Sequence, residues 1–191
     1  MDSPRLIIVG GPNGAGKSTF AIDYADELGV HYFGADSIAK EIAPDDPFSA
    51  RVHASRVFLD RIRDSLSKHE SMVIESTLAG RSLRRFIESA ITAGYQTNVL
   101  FTFLDSADTC VDRVLQRTRQ GGHNVPEVDI RRRFLRTINN FWHVYRPLAD
   151  IWVLVYNGGE SPEQVAFGYG DTQIVRIDEL FKLFHSHVVD P

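Results

Sequence analysis

An α/β domain built as a three-layer sandwich around a mainly parallel sheet of five or six strands is the fold this sequence predicts. Three observations predict it. Short apolar runs alternate with segments of helical period along the chain. The first run, Arg5–Gly10 (RLIIVG), feeds directly into a glycine-rich turn and a helix start. No repeat, low-complexity tract or linker breaks the alternation, so residues 1–191 read as one domain.

The elements follow in order. Lys17–Leu28 carries helical signals and stops at Gly29. A brief strand (HYFGA) leads to Asp36 and a short helix through Ile42, which Pro44 and Pro47 end. In residues 49–69, Val52, Leu59, Ile62 and Leu66 recur at helical spacing, and residues 71–76 (SMVIES) form the next strand. Leu83, Phe86, Ile87, Ala90 and Ile91 mark a helix that Gly94 closes. The longest apolar strand is 97–104, followed by helices at 107–120 and 127–145 around Gly121-Gly122. Ile151–Tyr156 is a fifth strand, and 172–177 is the candidate sixth before a terminal helix.

The chain of 191 residues is long enough to bury a substantial core, and 43% hydrophobic with 24% charged residues is an ordinary globular composition. A net charge of -4 argues against whole-protein attraction to nucleic acid or an anionic membrane. The single cysteine, Cys110, excludes an internal disulfide framework and suits a reducing compartment. The N-terminal segment lacks the pattern of a signal peptide, and no run approaches the roughly 20 apolar residues of a transmembrane helix. A cytoplasmic protein is expected.

Gly11-Pro12-Asn13-Gly14-Ala15-Gly16-Lys17-Ser18 matches G-x-x-x-x-G-K-[ST] in full, between a strand and a helix. The glycines let the backbone curl so that N–H groups point at phosphate oxygens. The helix beginning there turns its positive end to the anion. Lys17 is expected to reach the β- and γ-phosphates of ATP, Ser18 to ligate Mg²⁺, and Thr19 to complete the nucleotide site.

Two carboxylates stand at strand ends, where ligands of parallel sheets bind. Asp36 is either a base that accepts the proton of an acceptor hydroxyl or the N-cap of its short helix. Glu75 either binds acceptor hydroxyls or a Mg²⁺-bound water, or is an exposed strand-end residue. Asp105 reads as a loop or capping residue.

Seven arginines (113, 117, 119, 131, 132, 133 and 136) lie between Arg113 and Arg136 against two acids, Glu127 and Asp129. Such groups clamp transferring phosphoryl oxygens, and QGGHNVP supplies a hinge, so 107–145 reads as a helical arginine lid. With Ile130, Phe134, Ile138, Phe141 and Tyr145 on the buried face, Arg132 and Arg136 point away from it, while Arg131 and Arg133 flank it. Arg113 and Arg117 share a face at i,i+4. Surface exposure is the expected fate of at least half of the seven. His123 either donates to a phosphate or orders the turn. Cys110, Trp142 and Trp152 read as core.

GPNGAGKST, GADSIAKE, VIESTLAG, the Arg113–Arg117 helix with QGGHNVP, and RRRF followed by Asn140 together resemble the zeta-toxin family of P-loop kinases, in order from Leu6 to about Asn157. The similarity is closest to its short, zeta-like branch. The resemblance implies phosphorylation of a sugar hydroxyl, with UDP-N-acetylglucosamine the substrate of the toxins and a protein antitoxin as a partner. It assigns Asp36 as base, Lys17 as P-loop lysine, Glu75 and Thr77 to the acceptor, and Arg113 or Arg117 to the γ-phosphate. Where the family has a second arginine this chain has GGH, so His123 or Arg133 would take that part. The expected protein is therefore an ATP-dependent small-molecule kinase acting on a sugar or nucleotide-sugar hydroxyl. A metabolite kinase with another acceptor and a regulatory P-loop ATPase are the alternatives.

Overall fold

The computed structural model describes residues 3–122, 124–170 and 172–189. The strands are β1 (Arg5–Gly10), β2 (His31–Gly34), β3 (Met72–Ser76), β4 (Gln96–Phe103), β5 (Ile151–Tyr156), β6 (Glu163–Tyr169) and β7 (Thr172–Val175). The helices are α1 (Lys17–Leu28), α2 (Ala35–Ile42), α3 (Pro47–Ser67), α4 (Ser82–Thr92), α5 (Ala107–Arg119), α6 (Glu127–Asn140) and α7 (Asp178–His185).

Among the described residues seven strands form one sheet in the order β2-β3-β1-β4-β5-β6-β7. The first five are parallel, and β6 and β7 add an antiparallel edge. β1 sits between β3 and β4, neither of them its sequence neighbour, so helical crossovers leave on both sides of it. The carboxyl end of β1 is thus where strand order diverges, the place a parallel sheet offers a crevice.

Alternation along β1 divides the core. Leu6 and Ile8 face the larger cluster, shared with Ile74, Phe101, Phe141 and Phe184, while Ile7 and Val9 face Ala21 and Ala25 of α1. At about 25 cal/mol per Å² this two-faced burial is the main stabilising term. Trp152 is buried in the larger cluster and Trp142 packs against it, as expected of core residues. Cys110 is also in that core.

Four details depart from the sequence expectation. The sheet has seven strands, since residues 163–169 form β6. Gly168 masks that strand's pattern: a Cβ there would run into the Trp152 indole. β7 stops at Val175, short of the expected 172–177. α3 begins at Pro47 rather than at residue 49, because Asp46 caps it by accepting from Ser49 N–H at 3.3 Å and Pro fits a first helical position. α6 ends at Asn140 and continues as a π-helical turn, Phe141–Tyr145. Among the described residues, no helix is long and apolar enough to cross a membrane.

Candidate active site

The turn after β1 curls because three glycines adopt positive φ: Gly11 at 147°, Gly14 at 82° and Gly16 at 80°. Gly11 lies so close to β4 that a Cβ would meet Thr102 Oγ1 at 2.6 Å. Gly14 packs on α5, where a Cβ would meet the Cys110 carbonyl oxygen at 2.8 Å and Arg113 Cβ at 3.3 Å. From the far side, Asn157 Nδ2 donates to the Ala15 carbonyl at 3.1 Å. The loop is therefore held by β4, α5 and the end of β5 together.

Lys17 is only 7% exposed, and its ammonium donates to the Pro12 carbonyl at 2.8 Å. Burial pushes its pKa below the usual lysine value, Glu75 and Asp36 oppose that shift, and Arg117 adds to it. One ammonium is thus surrounded by the two carboxylates and the arginine singled out in the sequence. A cation so desolvated, with three donors and a curled backbone around it, fits a polyphosphate.

Glu75 is a half-buried strand-end residue with partners, which removes the reading of it as freely exposed. Its Oε1 accepts from Ser18 Oγ at 3.1 Å and its Oε2 from Tyr32 Oη at 2.7 Å. Burial and the neighbouring Glu75 charge raise the Tyr32 pKa well above that of an ordinary phenol, so it stays a donor. Ser18 and Glu75 present the hard oxygens that Mg²⁺ prefers, which fits a cation held jointly with phosphate oxygens.

Asp36 is exposed in the first turn of α2, with Gly34 rather than Asp36 at the N-cap. The capping alternative therefore falls: its carboxylate is beside the helix start and on the wall of the cleft. Thr77, after β3, lines the same cleft, and its Oγ1 accepts from Ala79 N–H at 3.5 Å. Asp105 accepts from Thr109 Oγ1 at 3.0 Å next to the Ser106 cap of α5, a loop role as expected.

The arginines are more concentrated than the helical wheel implied. Arg119, Arg131, Arg132 and Arg136 are exposed, as expected of at least half of the seven, yet Arg113, Arg117, Arg132, Arg133 and Arg136 all line the cleft, joined by Arg51 of α3. The reason is geometric: the cleft lies on the side of α6 turned from the core, where Arg132 and Arg136 point. Arg131 instead pairs with Glu127 at 2.7 Å and Asp108 at 2.6 Å. Asp129 accepts from Arg132 at 2.7 Å and lies 3.8 Å from Arg133, and these cations hold its carboxyl below the ordinary aspartate value. His123 lies outside the described residues. Cys110 is fully buried, which pushes its thiol up to about 12.

Sequence reasoning missed Tyr32, Arg51 and Asn157. Only Asn157 carried a signal, its position just past the carboxyl end of β5.

The cleft encloses about 1150 Å³ beside the glycine turn. An uncharacterised protein of Haemophilus influenzae is 26% identical over 130 residues, 68% of this chain and 92% of its own length. Among solved structures, a chain of the AvrRxo1-ORF1:AvrRxo1-ORF2 complex with sulphate ions superposes at a TM-score of 0.75 with 19% identity over 98% of this chain. The same complex with ATP superposes at 0.73 with 18% identity. This chain spans 65% of the length of that neighbour. A chain from the PezAT chromosomal toxin-antitoxin system of Streptococcus pneumoniae gives 0.64 at 13% identity, covering 98% of this chain and 79% of its own. A gluconokinase from Sinorhizobium meliloti gives 0.53 at 18% identity, covering 98% and 93%. These likenesses establish a P-loop kinase-like fold. The AAA domain matches residues 6–135, most of the chain, and the protein belongs to that family of P-loop proteins.

Proposed function

We propose that the protein is an ATP-dependent small-molecule kinase that phosphorylates a hydroxyl of a sugar or nucleotide-sugar such as UDP-N-acetylglucosamine. The observation that carries this reading is the shared cleft onto which the phosphate turn, Asp36, Glu75, Thr77 and the arginines all open. Its volume of about 1150 Å³ exceeds the roughly 300–1,000 Å³ of a one-ligand pocket, which supports two substrates side by side. ATP would supply the phosphoryl group, and Ser18 and Glu75 would hold the Mg²⁺ that offsets phosphate charge.

In this reading Asp36 takes the proton of the acceptor hydroxyl, and the hydroxyl oxygen attacks the γ-phosphorus. The bridging P–O bond breaks and ADP leaves with the electron pair. Lys17, Arg113 and Arg117 offset the charge on the phosphoryl oxygens, with Arg133 as the further lid arginine. The test is a metabolite-extract screen with radiolabelled ATP, wild type against Asp36→Ala. Labelled product from wild type alone, with ATP affinity retained in the variant, is expected. Product formation by Asp36→Ala at the wild-type rate would sink the assignment. Fast hydrolysis of ATP without any acceptor would favour the regulatory ATPase instead.

A protein antitoxin partner is a second reading, favoured by the similarity to a chain of a toxin-antitoxin system. Growth arrest on expression that disappears in Lys17→Ala would support it, and unimpaired growth with wild type would remove it.

A further inference from the structure

The last residue of β3, Ser76, and the segment after it (Thr77, Ala79, Gly80) border the cleft. At its centre Leu78 has φ of 56°, a left-handed conformation that side-chain-bearing residues rarely adopt. Such a conformation persists only where its surroundings over-determine it, and such sites cluster at ligand-binding segments. Here the surroundings are specific. The Leu78 side chain is 1% exposed and closes over Gly10, where a Cβ would lie 3.1 Å from Leu78 Cγ. Leu78 N–H donates to Ser76 Oγ at 3.1 Å.

The carbonyls of the segment are taken by a distant element. Asn140 Nδ2 donates to the Leu78 carbonyl at 2.9 Å, and Tyr145 Oη donates to the Gly80 carbonyl at 2.6 Å. Asn140 stands immediately before, and Tyr145 at the end of, the π-helical turn Phe141–Tyr145 that follows α6. In an ordinary α-helix, residues five apart point about 140° from each other. The wider π turn brings both donors to one side, and such turns recur at functional sites. Tyr145 is fully buried and its phenol is pushed up to about 12, so it remains a donor at every ordinary pH. The same helix α6 carries Arg132, Arg133 and Arg136 to the cleft.

We propose that Asn140 and Tyr145 are positioning residues that hold the Leu78–Gly80 carbonyls, and with them the acceptor-facing loop, in register with the arginine-bearing helix α6. Neither residue touches a reacting atom. Their effect is on acceptor recognition, and this part rests on the kinase reading above. The clamp itself does not.

The experiment compares wild type, Tyr145→Phe, which removes one oxygen, and Asn140→Ala. Three quantities are read on the full chain: amide hydrogen exchange at Leu78 and Ala79 with β1 amides as internal reference, ATP affinity, and kcat and KM for UDP-N-acetylglucosamine. Expected is about tenfold faster exchange at Leu78 and Ala79 with β1 unchanged, the scale of one lost hydrogen bond. A KM for UDP-N-acetylglucosamine raised by a similar factor, with kcat and ATP affinity within about twofold, is expected alongside it. Unchanged exchange at Leu78 in both variants overturns the clamp. A uniform rise that includes the β1 amides reduces it to general stability and also overturns it. A parallel loss of ATP affinity and acceptor KM overturns the positioning role. If wild type leaves UDP-N-acetylglucosamine unphosphorylated, the acceptor reading fails, and the exchange data alone decide the clamp.

Discussion

The Ser18 hydroxyl donates to Glu75 Oε1 at 3.1 Å, joining the first turn of α1 to the end of β3 across 57 positions of sequence. β1 and β3 are adjacent parallel strands in register, Gly10 beside Ser76, so the glycine turn and the strand-end acid emerge side by side. Tyr32 holds the other Glu75 oxygen from the neighbouring β2. β2, β3 and the start of α1 thus converge on one carboxylate.

Glu75→Gln keeps the size of the side chain and removes its charge. Groups that orient a metal site typically account for about 10–100-fold in metal affinity. The Mg²⁺ needed for half-maximal ATP binding is expected to rise by about that factor, read in a Mg²⁺ titration with a fluorescent ATP analogue. A titration identical to wild type would remove Glu75 from the cation site.

Lys17 makes the opposite kind of prediction, a gain in stability. Its folded pKa is depressed, so the folded state disfavours the charged form. The resulting destabilisation is fully present below the folded pKa, and it fades as pH rises toward the unfolded value. At neutral pH without nucleotide, Lys17→Met is expected to raise Tm by about 2–4 °C, the equivalent of roughly 1 kcal/mol in a chain of this size. The stabilisation that ATP gives wild type should vanish in the variant. Scanning calorimetry with and without ATP checks both, and a lower Tm for nucleotide-free Lys17→Met would contradict the assignment.

A pair of glycines separates strain from crowding. Gly29 ends α1 at φ 62°, and a Cβ there would meet nothing within 4 Å, so Gly29→Ala should cost about 1–2 kcal/mol of backbone strain alone. Gly11 has φ 147° and no room beside Thr102. Gly11→Ala should cost about 2–4 kcal/mol and abolish ATP binding. Urea unfolding curves rank the two, and equal midpoints would show that crowding at Gly11 is absent.

Cys110 is expected to be chemically silent in the folded state. It is fully buried and its thiol stays protonated until pH approaches about 12, so the reactive thiolate is scarce at pH 8. Iodoacetamide should label it only after unfolding, quantitatively by mass spectrometry. Rapid labelling of the folded protein would mean that α5 opens readily.

Much of the fold was legible because its signals are local. The alternation of apolar runs with helical period marked β1 to β5, and Gly29 and Gly94 marked helix ends. β6 was not legible, since Gly168, which leaves room for the Trp152 indole of the neighbouring β5, interrupts its pattern. Arg132 and Arg136 show a different limit. A helical wheel tells which side faces the core, but α3 and the loop after β3 decide whether the other side faces water or a cleft.

The sequence by itself determined the glycine turn after β1, because that turn needs only contiguous residues: glycines for positive φ, then Lys17 and Ser18 at a helix start. It also put Asp36 and Glu75 at strand ends. Only tertiary structure decided what surrounds those acids. Asp36 lost the capping alternative when α2 began at Ala35. Glu75 gained Ser18 and Tyr32, and Leu78 and Gly80 gained Asn140 and Tyr145. Hydrogen bonds between remote positions leave no period and no motif in a chain, since they depend on which strands and helices the packing brings side by side.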